Sequence, residues 1–247
     1  MSHAGAVPRL AAPLILAAAI LVSFRLEKPV PPVALQAGEA PPPTPAELEA
    51  ALAAAEAPGA PGYDRGVTRA PVTVLEFADF GCPYCARFAL ETYPALDAEF
   101  VQTGRVRWRY VPFVLGIFAN GNDATRAAEC AAEQGGAAFG RMHDGLFARQ
   151  GMWRDAPDPP TMFHALAQAA GLDLRRFDAC VAGGEPDRRI AAANALADRL
   201  GAHATPTFFV NGRRVEGALP VEQFRAVLLD ALAAARTRGA PGAAAPN

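Results

Sequence analysis

A chain of 247 residues, 51% of them hydrophobic, can fold as one large domain or two small ones around a sizeable core. Its 23 basic and 25 acidic residues nearly cancel, and no basic block interleaved with aromatics occurs, which excludes a charge-driven nucleic-acid binder. Four cysteines, an even number, suit two disulfides and an oxidising compartment better than the cytoplasm.

Leu10 to Phe24 is an apolar run with Arg9 before it and Arg25 and Lys28 after it, the pattern of a membrane-targeting segment. Its only small-residue cleavage pattern, Ala17-Ala18-Ala19, falls inside the run. Residues 1–26 are therefore read as an uncleaved membrane anchor rather than a cleaved signal, giving the protein its membrane contact. Residues 27–62 are rich in Pro and Ala and read as a linker. Within it Pro45 to Glu56 has high helix propensity behind a Thr44 cap and is expected as a solvated spacer helix.

The β-branched and aromatic run Val72 to Ala78 predicts a buried strand, and apolar residues at helical spacing from Ala86 to Phe100 predict a helix after it. Arg105 to Val111 alternates charged and apolar residues, predicting a strand with one polar face. Five helical segments follow, at 123–134, 139–150, 161–171, 174–182 and 186–201, separated by Gly, Pro and Asp. Strand character returns at Thr207 to Val210, and Asn211-Gly212 before Arg213 to Glu216 is a strong hairpin signal. Val221 to Ala235 is amphipathic enough to cover a sheet face, and 238–247 reads as a tail. Trp108, Trp153, Phe139, Phe147 and Phe163 are expected to pack.

Between the first strand and its helix lies Cys82-Pro83-Tyr84-Cys85. A cysteine at a helix N-terminus meets unpaired N–H groups and the positive end of the dipole, which favour its thiolate. One helical turn brings the two sulfurs together, with Cys82 exposed and Cys85 turned inward, and Pro83 fits the first turn where its missing N–H costs nothing. A redox pair is the first reading, and a permanent disulfide or half of a Cu(I) or zinc site the other. Neither a second CxxC nor a His pair supplies further ligands, since His3, His143, His164 and His203 are not spaced for a metal, so no metal and no cofactor is expected. Cys130 and Cys180 lie on two of the predicted helices; they are read as a structural disulfide, with two free buried cysteines as the alternative.

The stretch EFADFGCPYCARF, the stretch TPTFFVNG and the helical block between them resemble the DsbA-like thiol:disulfide oxidoreductases of the thioredoxin superfamily. The resemblance implies an α/β thioredoxin fold over residues 63–237 with a helical subdomain inserted at about 121–203. It implies that Thr205-Pro206 is a cis-proline loop packed on the CxxC and open to an extended substrate, with the Thr205 hydroxyl near Cys82. It also implies a buried acid beneath the resolving cysteine, a position that Glu76 matches and from which it could exchange a proton with Cys85. Asp79 is expected as an exposed strand-end carboxylate, and His203 as the histidine nearest Cys82. Tyr84, which tunes the pair or touches substrate, stands where the best-known strong oxidants carry His. The expected activity is disulfide exchange with cysteines of exported proteins, as an oxidase, in the periplasm or cell envelope, with a second redox partner resetting the pair. Reductase, isomerase, metal-binding and chaperone roles are the alternatives.

Overall fold

The computed structural model describes residues 44–239. The segment read as a membrane anchor and most of the tail lie outside them. Among the described residues no helix is long and apolar enough to cross a membrane.

In chain order the elements are α1 (Pro45–Glu56), β1 (Tyr63–Arg65), β2 (Val72–Ala78) and α2 (Pro83–Arg87). A π-helical turn, Phe88–Thr92, leads to α3 (Tyr93–Leu96), and a second, Asp97–Val101, leads to β3 (Val106–Pro112). The helical insertion comprises α4 (Gly121–Ala132), α5 (Gly136–Ala148), α6 (Gln150–Trp153), α7 (Pro159–Ala169), α8 (Leu174–Val181) and α9 (Glu185–Arg199). The hairpin β4 (Thr207–Val210) and β5 (Arg213–Glu216) and the helix α10 (Val221–Gly239) complete the described residues. The sheet order is β1-β3-β2-β4-β5, with β2 and β3 parallel and every other pair antiparallel. Asn211 and Gly212 both take positive φ, 46° and 85°, the backbone that a two-residue hairpin needs.

The central strand β2 is buried on both faces, which is why its sequence is almost continuously apolar. On one face Val72 and Val74 join Phe88, Trp108, Phe208, Phe224 and Leu228. On the other, Leu75 and Phe77 join Val111, Phe209, Leu196 and Leu200. A third cluster fills the inserted helices around Phe139, Phe147, Trp153 and Phe163 and reaches Cys82 and Cys85. A disulfide joins Cys130 on α4 to Cys180 on α8 across 50 residues of chain.

Three parts of the N-terminal half differ from expectation. The helix α1 has the capping box between Thr44 and Glu47, but it is no solvated spacer: Ala51 and Ala55 are buried, and Leu48 and Leu52 pack on the Leu75, Phe77 and Leu196 cluster. Alanines one turn apart let it lie close to that surface. Secondly, a short strand, β1, precedes β2 and pairs with β3. Thirdly, β3 has no open polar face. Arg109 is buried and donates to Ala55 O and Ala60 O, and Arg107 forks onto Asp64. The segment bearing α1 and β1 covers that side of the strand.

Candidate active site

Strand β2 ends at Ala78, and a tight turn carries the chain from Asp79 into α2. Cys82 N donates to Asp79 O at 3.0 Å, Cys82 occupies the N-cap and Pro83 the first helical turn. The Cys82 sulfur is thereby held at the start of α2, where the N–H groups of Tyr84 and Cys85 favour its negative charge without a formed capping hydrogen bond. Cys82 Sγ donates to Thr205 O at 3.4 Å, and the Thr205–Pro206 bond is cis, so the loop before β4 lies against the CxxC. Thr205 Oγ1 is buried without a formed hydrogen bond, and its hydroxyl favours negative charge on both sulfurs.

Cys82 is not exposed as expected: at 3% it is buried like Cys85, because the cis-proline loop lies on it, and the two cysteines differ instead in electrostatics. The Cys82 thiol is lowered to about 6, chiefly by the hydrogen bond from Cys85, with Thr205 and the α2 amides adding to it and burial opposing it. Burial pushes the Cys85 thiol well up, and the neighbouring Cys82 sulfur raises it further. These surroundings favour the charged form at Cys82 over Cys85, and on ionising Cys82 gives up its hydrogen bond to Thr205 O.

Glu76 is 4% exposed on β2 and accepts from Trp108 Nε1 at 2.6 Å. Its carboxyl is pushed up to about 7 by burial, against the pull of Trp108 and Arg65. It lines a cavity of about 10 Å3 with Arg65, Tyr93, Trp108, Tyr110 and His143, room for about one water molecule. No hydrogen bond joins it to Cys85. Tyr110, which faces both Glu76 and Cys85 electrostatically, donates its hydroxyl to Ala78 O.

Asp79 is not an exposed strand end. It is 1% exposed, and its carboxylate accepts from Gly81 N at 2.8 Å and from Leu115 N at 2.9 Å. The loop after β3 folds over it, and Gly121 approaches so closely that a Cβ there would lie 2.8 Å from Asp79 Oδ1. Burial raises the Asp79 pKa while the two amides lower it. His203 is exposed and is absent from the contacts around the sulfurs. Tyr84 is 57% exposed, with the Arg87 guanidinium 5.2 Å from its ring centre.

Sequence reasoning missed Gln150. It is buried at the start of α6, and Nε2 donates to Phe80 O at 2.6 Å and to Cys82 O at 2.8 Å. The only signal is a polar residue where one helical run breaks into the next. A cavity of about 510 Å3 between α4, α7 and α8 is lined by neither Cys82 nor Cys85. The pair lies instead at the turn between β2 and α2, beside the Thr205 backbone. Among the described residues no group of three His, Cys, Asp or Glu side chains is placed to hold a metal ion.

Residues 61–230 match the family model described as Thioredoxin. The chain belongs to the thioredoxin family. Its fold is DsbA-like, a thioredoxin fold with an inserted helical region: Wolbachia pipientis alpha-DsbA1 superposes with a TM-score of 0.64 at 20% identity, over 72% of this chain and 94% of that one. A thioredoxin-like oxidoreductase from Silicibacter pomeroyi is 30% identical with a TM-score of 0.54, over 71% of this chain and 92% of that one. Among curated proteins, the Na(+)/H(+) antiporter NhaA 3 of Salinispora tropica is 41% identical over 176 residues, 70% of this chain and 25% of the antiporter. The chain thus spans about a quarter of the length of the curated relatives it matches.

Proposed function

We propose that this protein, a thiol:disulfide oxidoreductase of the DsbA-like class, oxidises cysteine pairs of exported proteins through Cys82 and Cys85. The observation that carries the reading is the asymmetry of the pair: Cys82 lowered to about 6 at a helix N-terminus, Cys85 raised by burial behind it.

In the oxidised pair a substrate thiolate attacks Cys82 Sγ. The bond to Cys85 breaks, Cys85 leaves with the electron pair and takes up a proton, and a mixed disulfide forms at Cys82. A second substrate thiolate then attacks the substrate sulfur and expels Cys82 as its thiolate. Two electrons have moved to the protein, and the substrate leaves oxidised. Cys82 is a good leaving group because its thiolate is stabilised, and the same stabilisation favours the dithiol over the disulfide, making the pair an oxidant. The Thr205 carbonyl, which accepts from the Cys82 thiol, lies in the bend that leads into β4, where a substrate backbone would pair beside the sulfur, and exposed Tyr84 is the side chain of the CxxC open to a substrate. Glu76, with a carboxyl near 7, is the group whose proton can move at neutral pH. No cofactor enters the cycle; a redox partner must reoxidise the pair.

The site of action is the cell envelope. Supporting it are the paired Cys130 and Cys180, the apolar segment 10–24, and the occurrence of similar domains within chains named as Na(+)/H(+) antiporters. Cys82→Ser is expected to abolish dithiol oxidation, and retained turnover would overturn the reading. Equilibration of Cys82/Cys85 with glutathione sets the direction. A potential well above the roughly −270 mV of thioredoxin is expected, and a value at or below it would assign a reductase.

A further inference from the structure

The turn Phe80–Gly81–Cys82 is held from the helical insertion. Gln150 at the start of α6 is 6% exposed and uses one amide nitrogen for both the Phe80 and Cys82 carbonyls, at 2.6 and 2.8 Å. Cys82 O also accepts Ala86 N of α2 at 3.1 Å. The short helix α6 is itself fastened: Asn120 Nδ2 donates to Trp153 O and Ala156 O, and the buried Trp153 donates through Nε1 to Leu146 O. On the other flank Phe118 lies so close to Gly81 that a Cβ there would meet it at 2.4 Å. The two amide hydrogens are the only side-chain donors Gln150 has, and both are committed to the residues that make the nucleophile's turn.

We infer that Gln150 is a positioning residue for Cys82, by which the helical insertion holds the nucleophile at the N-cap of α2 and caps the negative ends of two carbonyls of its turn. The inference rests on the role of Cys82 as nucleophile. Without the amide, the Phe80 carbonyl loses the Gln150 donor and the Cys82 carbonyl keeps only Ala86 N, so both carry more unshielded negative charge beside the place where a thiolate forms. The turn also gains freedom to move the sulfur off the α2 amides. Both effects disfavour the thiolate.

The test is ultraviolet titration of the Cys82 thiolate in the reduced full chain, with Cys82→Ser as the blank. Gln150→Met keeps length and helix propensity but removes both donors, and its midpoint is expected about one unit above the wild type. From about 6 to about 7, that change lowers the thiolate's stabilisation of the reduced pair at pH 7 from about 11-fold to about 2-fold, so the glutathione equilibrium moves about fivefold toward a weaker oxidant. Gln150→Glu, isosteric but acceptor-only and negative when ionised, is expected to shift the midpoint further. A purely structural role predicts lower thermal stability with the midpoint unmoved. A midpoint unchanged within about 0.2 units in either folded variant overturns the inference. Failure of the oxidase reading would look different, as a wild-type protein with a low Cys82 midpoint and no disulfide turnover.

Discussion

Replacing Glu76 by Gln tests the buried acid most directly. The carboxyl is 4% exposed, accepts from Trp108 and is pushed up to about 7 from an ordinary 4.5. For a carboxyl raised in this way, the favourable contribution is complete below the unfolded value and is lost as pH rises through the folded one. Linkage puts the cost of the raised value at under about 1 kcal/mol at pH 5 and about 3 kcal/mol at pH 8, a difference of between about 2 and 3 kcal/mol. Relaxation around the charge reduces this, so about 2 kcal/mol is the working figure. Gln keeps the volume and an oxygen for Trp108 Nε1 but cannot ionise. In a Cys82→Ser background, where the thiolate is removed and Cys85 stays protonated across the range, Glu76→Gln should gain about 2 kcal/mol on the parent between pH 5 and pH 8. Urea unfolding of both proteins at both pH values measures it. A difference constant to within about 0.5 kcal/mol would mean that Glu76 ionises near its ordinary value and holds no mobile proton at neutral pH.

Two further outcomes follow from the sulfurs. The reduced protein should show a thiolate transition centred near 6 that disappears in Cys82→Ser, and alkylation below pH 8 should label Cys82 while sparing Cys85. Because the Cys82 value is depressed, the stability it lends the reduced form is present at high pH and fades as pH falls through about 6; a pH-independent stability gap between reduced and oxidised protein would contradict this. Replacing Cys130 and Cys180 by Ser opens a loop of 50 residues, and the chain-entropy model sets the loss at about 4 kcal/mol. Chemical denaturation measures it, and a loss under about 1 kcal/mol would show that α4 and α8 are held by their packing alone.

The cysteine pair proposed to react shows in the sequence, and many of the groups packed around it do not, for a physical reason. Strand β2 and the helix start at Cys82 show in side-chain pattern, because a strand buried on both faces must be apolar and a CxxC must span one turn. Glu76 was legible as buried because Val74, Leu75 and Phe77 leave it no open face. Asp79 and Arg109 were misread, and Gln150 was passed over. What these three share is a partner on the main chain: the amides of Gly81 and Leu115 for Asp79, the carbonyls of Ala55 and Ala60 for Arg109, those of Phe80 and Cys82 for Gln150. Every residue carries a carbonyl and nearly every one an amide, so such partners leave no mark in composition or spacing, and those of Arg109 and Gln150 lie 49 to 70 positions away. Burial of a polar side chain is decided by whether those groups arrive, and that depends on the whole fold. A motif can therefore carry the chemistry of a thiol pair from one protein to another while leaving its potential behind. The potential depends on carbonyls and amides around Cys82 that other parts of the chain hold in place, α6 among them.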